Sequence, residues 1–311
     1  MKHHRIDTNG ITLHVVEAGC GPAVLFAHGF PDTWRGWRRQ MEAVASAGYR
    51  AVSLDMRGYG ESSTPQDAGL YTVFYSVGDL VGVLDALQIK NATLVGHDFG
   101  AAISWNAAMM RPDRFTAVFG MSVPPMAPGG KSFLERLHDA GKDTFYMFRQ
   151  MRPEADVEWA DAARTLPSAF WWTSASPPEE QRWDPLDPDR GLLRPAPVAV
   201  PAWADPEDFR AAIADFQRNG FHGPLNYYRA IQPFYDMAGA FAGAKVERPS
   251  FFLIGKADGL ASFRKITEED LRAPLPALRG FVELDDVGHW PQLEATDAVN
   301  SALLGFLTQS Y

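Results

Sequence analysis

The sequence predicts an α/β protein: a mostly parallel central sheet flanked by helices, interrupted by a long helical insertion. Three observations carry this. Short apolar runs alternate with helix-period segments from Ile11 to Gly120. The alternation stops at about Pro124, and prolines crowd the stretch between Pro167 and Pro206. It resumes after Gly243.

Ile11–Val16 is short, β-branched and apolar, and reads as a strand. Ala23–Ala27 is uniformly apolar, as expected of a strand buried on both faces. A helix is expected around Trp37–Ala47 and a strand at Ala51–Leu54. Val77, Leu80, Val81, Leu84 and Leu87 recur at helical spacing. Ala92–Val95 reads as a strand, Ala101–Met110 as a helix and Thr116–Gly120 as a strand. Alternation of this kind implies a parallel sheet with helices on both faces. From about Pro124 to Gly243 no strand is expected, because proline has no N–H to give a central ladder. Loops and short helices are expected there instead. Of the nine tryptophans, Trp159, Trp171, Trp172, Trp183 and Trp203 fall in this insertion. They serve its own core, and at least one is expected to face a pocket. Beyond it, Ser250–Ile254 and Phe281–Leu284 read as strands, and Ile266–Leu271 and Ala298–Leu307 as helices. The expected division is a core of 1–127 and 244–311 around a helical cap of 128–243.

The chain has 311 residues, room for about two domains at roughly 150 each. Its 46% hydrophobic and 22% charged content excludes wholesale disorder. A net charge of −9 argues against nucleic acid or an anionic membrane as partner. No apolar run approaches a membrane span, and the first ten residues lack a secretory apolar core. The single cysteine, Cys20, precludes an intramolecular disulfide and fits a reducing, cytoplasmic setting. It reads as a turn residue in AGCGP.

The junction VGHDFG sets Asp98 two positions from Gly96 and from Gly100. That spacing suits a sharp strand-to-helix turn whose middle residue stands exposed above the sheet. A plain helix cap is the bland alternative. The turn HGFPD after the early strand can aim the Phe30 N–H at this residue, with the Phe99 N–H as second donor. Asp258 (in GKADG) and His289 (in DDVGHWP) both follow strands, in the order nucleophile, acid, histidine. Asp285 and Asp286 are rival orienting acids, sequentially close to His289. No metal-ligand spacing is present, and neither dinucleotide nor phosphate loop occurs.

With these motifs the chain resembles an epoxide hydrolase of the α/β-hydrolase fold. The resembling segments are HGFPD, SLDMRGYGESS, LVGHDFGAAISWNAAMMRPDRF, SVPPM, GFHGPLNYYRA, LIGKADGL and VGHWPQLE. The resemblance implies Asp98 as nucleophile, His289 with Asp258 as water-activating pair, and Phe30 and Phe99 amides as oxyanion hole. It implies Tyr228, the second tyrosine of GFHGPLNYYR, as a proton donor to the epoxide oxygen. The other donor falls at Tyr146, although the family pattern has one more residue before the downstream Gln150.

The chemistry fits these residue types. A carboxylate can open a strained ether at carbon if phenols stabilise the departing alkoxide. His289 is then expected to act as a neutral base, its pKa near ~6.5 moved upward by Asp258. A dehalogenase uses the same aspartate. The haloalkane type commonly has Trp after it and the fluoroacetate type Arg there and a few residues on, where this chain has Phe99 and Ala102. A non-catalytic binding protein on this scaffold would be expected to lose part of the Asp98–Asp258–His289 set. The expected partners are a small-molecule epoxide and water, with neither nucleic acid nor membrane. A homodimer stays open, and no cofactor is expected.

Overall fold

The computed structural model describes residues 1–126 and 129–310, with eight strands in one sheet. They are β1 (Lys2–Thr8), β2 (Ile11–Gly19), β3 (Ala23–Ala27), β4 (Arg50–Leu54), β5 (Ala92–His97), β6 (Phe115–Met121), β7 (Ser250–Gly255) and β8 (Leu278–Leu284). Their spatial order is β1-β2-β4-β3-β5-β6-β7-β8. β2 pairs antiparallel with β1 and β4, and every other pair is parallel. The sheet is therefore mostly parallel, as the sequence predicts.

Burial explains the strand sequences. β3 and β5 are buried along their whole length and carry apolar side chains on both faces. Val24 and Phe26 join one core cluster, Leu25 and Ala27 the other, as the two-residue period requires. On one face lie α1 (Arg38–Ser46) and α14 (Thr296–Ser310); on the other lie α2 (Val73–Ala86) and α3 (Phe99–Met110). β1 is a strand the sequence pattern does not reveal. Its only buried apolar residue is Ile6, and it pairs with β2 from Lys2 to Thr8. Such a polar, charged edge discourages further strand pairing.

Between β6 and β7 the described residues contain no strand. They hold α4 (Phe133–Asp139), α5 (Tyr146–Gln150), α6 (Glu154–Trp159), α7 (Ala162–Thr173), α8 (Pro206–Asn219), α9 (His222–Arg229) and α10 (Ile231–Met237). The expected first boundary, at Ala127 and Pro128, lies outside the described residues. The prolines do not keep every helix short. Pro167 lies inside α7, a helix of 12 residues. Pro206 opens the 14-residue α8, where the missing N–H costs nothing and the Asp205 carboxylate caps two N–H groups. After β7 come α11 (Gly259–Phe263) and α12 (Glu268–Arg272), and after β8 α13 (Pro291–Glu294). No helix of the described residues is long and apolar enough to cross a membrane.

The carboxyl ends of β3, β5, β7 and β8 carry Phe30, Asp98, Asp258 and His289. Close packing there depends on glycine. A Cβ on Gly100 would stand 2.0 Å from the Ala27 carbonyl oxygen, and one on Gly96 would stand 2.4 Å from the Gly100 oxygen. Gly100→Ala is therefore expected to destabilise the fold by about 1–3 kcal/mol, as overpacking does. A lowered denaturant midpoint with unchanged slope is the expected result, and an unchanged midpoint contradicts it.

Candidate active site

Asp98 occupies the turn from β5 into α3 with φ 53° and ψ −121°. A non-glycine residue rarely holds a positive φ, and the surrounding packing must enforce it. The turn sets the carboxyl beside the N-terminus of α3, where the helix dipole favours negative charge. Asp98 is buried, and its Oδ1 accepts the Phe30 N–H at 2.8 Å. Gly29 makes that approach feasible: its Cβ would lie 2.4 Å from the Asp98 side chain. The Phe99 N–H belongs to the first turn of α3, where backbone donors have no intrahelical acceptor.

The other Asp98 oxygen, Oδ2, faces His289 Nε2 at 3.7 Å. His289 Nδ1 bonds Asp258 Oδ2 at 2.8 Å. Asp258 is fully buried, and its Oδ1 caps α11 by accepting the Leu260 N–H at 2.9 Å. Asp258, His289 and Asp98 thus form one chain of contacts across the ends of β7, β8 and β5. The rival acids lie elsewhere: Asp285 pairs with Lys256 at the surface and Asp286 holds a positive-φ turn.

Charge distribution follows from these contacts. Burial works to raise the Asp98 pKa, but the His289 hydrogen bond and charge, with the Phe30 N–H, bring it below the ordinary value. Burial works to lower that of His289, yet the Asp258 and Asp98 carboxylates together push it up to about 10. His289 is therefore an imidazolium at neutral pH in the free protein. The upward direction is the one expected from Asp258, and the second carboxylate, 3.7 Å away, adds to it. The neighbouring His97 is held neutral, its pKa lowered to about 3 by burial and by the His289 charge.

Tyr228 lies on α9, and Tyr146 opens α5. Their rings meet edge to face at 6.1 Å. The Tyr228 ring also packs edge-on against Phe30 at 5.2 Å and Phe99 at 4.8 Å. Tyr227, its neighbour in the YY pair, points its hydroxyl to the Arg57 carbonyl at 3.1 Å. Burial, reinforced by the Asp98 charge, raises both Tyr146 and Tyr228 well above the ordinary phenol pKa, so both stay protonated.

Asp98 borders two pockets. The smaller, about 330 Å³, contains Tyr146, Tyr228 and His289 and is walled by Trp159 and Trp183. These are two of the five insertion tryptophans. The larger, about 830 Å³, runs along α3 beneath α10. No cluster of His, Cys, Asp and Glu among the described residues could hold a metal ion.

Several supporting residues escape the sequence reading. Glu294 accepts N–H groups on both sides of the histidine, from Gly288 and Trp290 at 3.0 Å each, and from Ala175 of the insertion at 2.8 Å. The His289 N–H donates to the Thr173 carbonyl at 2.9 Å. His97 Nε2 and Ser122 Oγ both donate to the His289 carbonyl, at 2.6 and 3.2 Å. The string GHWPQLE contains Glu294, but only the structure shows α13 returning it to the loop.

Glu294→Ala leaves three part-buried N–H groups without their acceptor and is expected to cost about 2 kcal/mol of stability. Glu294→Gln, which keeps one acceptor oxygen, should lose less. Thermal unfolding of the two variants checks the order, and equal stability to the parent contradicts it. A second expectation concerns His289. Its pKa is raised on folding, so its stabilisation is complete below the ordinary 6.5 and is lost as pH rises through about 10. Imidazole ¹⁵N shifts at pH 8 should read a cation in the free protein and the neutral ring in His289's absence of partners, as in Asp98→Asn with Asp258→Asn. A neutral ring at pH 8 in the parent contradicts the assignment.

Residues 22–296 match the alpha/beta hydrolase fold family. The chain is similar to an epoxide hydrolase of Caballeronia sordidicola, 56% identical over 308 residues, covering 99% of this chain and 94% of the relative. It is 37% identical to epoxide hydrolase A of Mycobacterium tuberculosis over 318 residues, covering 97% and 96% of the two chains. The solved structure of an epoxide hydrolase from an endophytic Streptomyces superposes with a TM-score of 0.90 at 35% identity, covering 99% of this chain and 95% of the other.

Proposed function

The chain belongs to the epoxide hydrolases of the α/β-hydrolase fold, and from that premise we propose that it converts an apolar epoxide to a vicinal diol through an ester on Asp98. The cap is the segment 128–243, set between core segments 1–127 and 244–311. The observation that carries the mechanism is the inequality of the two Asp98 oxygens. Oδ1 is tied to the Phe30 N–H, while Oδ2 faces the pocket shared by His289 and the two phenols.

Oδ2 attacks a ring carbon, and the carbon–oxygen bond of the epoxide breaks. The departing oxygen takes a proton from Tyr146 or Tyr228, whose high pKa makes them donors at every working pH. The tyrosinate so formed is reprotonated by the His289 imidazolium. Asp98 is now a neutral ester, so His289 has lost one of its two carboxylate neighbours. Its pKa falls, and the ring emerges neutral as the base the next step requires.

His289, oriented by Asp258, then takes a proton from water, and the hydroxide adds to the ester carbonyl. The oxyanion forms on Oδ1, where the Phe30 and Phe99 N–H groups receive it; one such donor is typically worth ~3 kcal/mol. Collapse breaks the bond between the carbonyl carbon and Oδ2. The diol leaves with Oδ2 and a proton, and Asp98 and His289 return as carboxylate and imidazolium. Charge is conserved at each step.

Epoxide and chloroalkane substrates assayed side by side test the reading. Diol without chloride is expected, and chloride release alone contradicts it. Tyr228→Phe should slow ester formation about ten- to a thousandfold, since it removes a donor to the developing alkoxide. Tyr146→Phe should do the same. Single-turnover quench-flow measures this step, and an unaltered rate in both variants contradicts the proton-donor role.

A further inference from the structure

The larger pocket is lined mostly by apolar side chains. Phe99, Ala102, Ile103 and Asn106 form a single stripe of α3 along it, at the i, i+3, i+4, i+7 spacing of one helix face. Asn106 is the polar member and is 8% exposed. Its Nδ2 donates to the Ala102 carbonyl one turn back, at 2.8 Å. That bond fixes the amide orientation, because the flipped form would set two acceptors against each other. Asn106 Oδ1 then has no hydrogen-bond partner among the described residues.

The other polar side chains along this pocket are committed. The Tyr71 hydroxyl donates to the Pro65 carbonyl at 2.7 Å, and that of Tyr227 to the Arg57 carbonyl. The Arg136 charge acts on Tyr235, and Asp98 is the nucleophile of the reading above. A buried acceptor left empty costs about 1–3 kcal/mol, so one in a mostly apolar pocket needs a reason. Asn106 lies eight residues beyond Asp98 in the sequence, which in a helix is about 12 Å along the axis.

We propose that Asn106 is a specificity-determining residue: its Oδ1 accepts a hydrogen bond from a hydroxyl or N–H group at the far end of the substrate, about 12 Å from the reacting carbon. The inference rests on the epoxide reading above. It narrows the substrate class to epoxides with an apolar chain ending in a donor. An alkyl end leaves Oδ1 empty. A carboxylate end gains nothing, since it brings only acceptors to an acceptor.

Two straight-chain terminal epoxides, matched in length to that span and differing only in a terminal hydroxyl or methyl, provide the test. The readout is the ratio of their kcat/KM values for diol formation. In the parent the hydroxyl-ended epoxide is favoured. In Asn106→Leu that preference should fall by about three- to tenfold, the worth of one neutral hydrogen bond. Asn106→Ala, which adds no bulk, gives the same reading if the leucine variant does not fold. Diol from both epoxides with the same ratio in parent and variant overturns the assignment of Asn106 and leaves the epoxide reading intact. No diol from either epoxide with the folded parent overturns both.

Discussion

Everything at the site depends on one backbone turn, the positive φ of Asp98 between β5 and α3. The conformation lifts the carboxyl above the sheet while β5 and α3 stay in contact beneath it. It is held because Gly29, Gly96 and Gly100 let three backbone segments approach where any Cβ would collide. The same approach delivers the Phe30 N–H to Oδ1 and leaves Oδ2 facing His289. Local strain of this kind persists only where the surroundings over-determine it. Here β3, β5 and α3 all supply that constraint.

The second organising feature is a single cation between two carboxylates. His289 bridges Asp258 and Asp98, its backbone is clamped by Thr173, His97 and Ser122, and Glu294 holds the N–H groups of Gly288 and Trp290 on either side. Thr173 and Ala175 belong to the insertion, so the histidine is positioned by both parts of the chain. On the proposed mechanism the Asp98 charge is both the nucleophile and the switch. While it is present, His289 is an acid. Once it is consumed in the ester, His289 is a base. A serine at the turn would carry no charge to lose.

Much of this was legible from residue patterns. The alternation of apolar runs gave the parallel sheet, since strands buried on both faces must be apolar throughout. The glycine spacing around Asp98 marked the turn, and the positions of Asp258 and His289 after strands marked the sheet end where they meet. β1 was not legible, because a polar edge strand with one buried residue, Ile6, has no periodicity to read. The length of α7 and α8 was hidden by their prolines: Pro206 sits at the first helical position, and α7 runs on through Pro167. The charge on His289 was not legible either: it depends on a 3.7 Å distance between side chains far apart in sequence. Glu294 and Asn106 are ordinary polar residues in the sequence, and only their neighbours give them meaning.

The central claim is that Asp98 itself joins the substrate and water attacks the protein. A single turnover in ¹⁸O-water, with enzyme in excess over epoxide, tests it most directly. The account predicts that the first diol carries unlabelled oxygen from Asp98, and that the label appears in the peptide containing Asp98. Solvent label in the first diol, with an unlabelled Asp98 peptide, would mean that water opens the epoxide directly and would contradict the covalent mechanism.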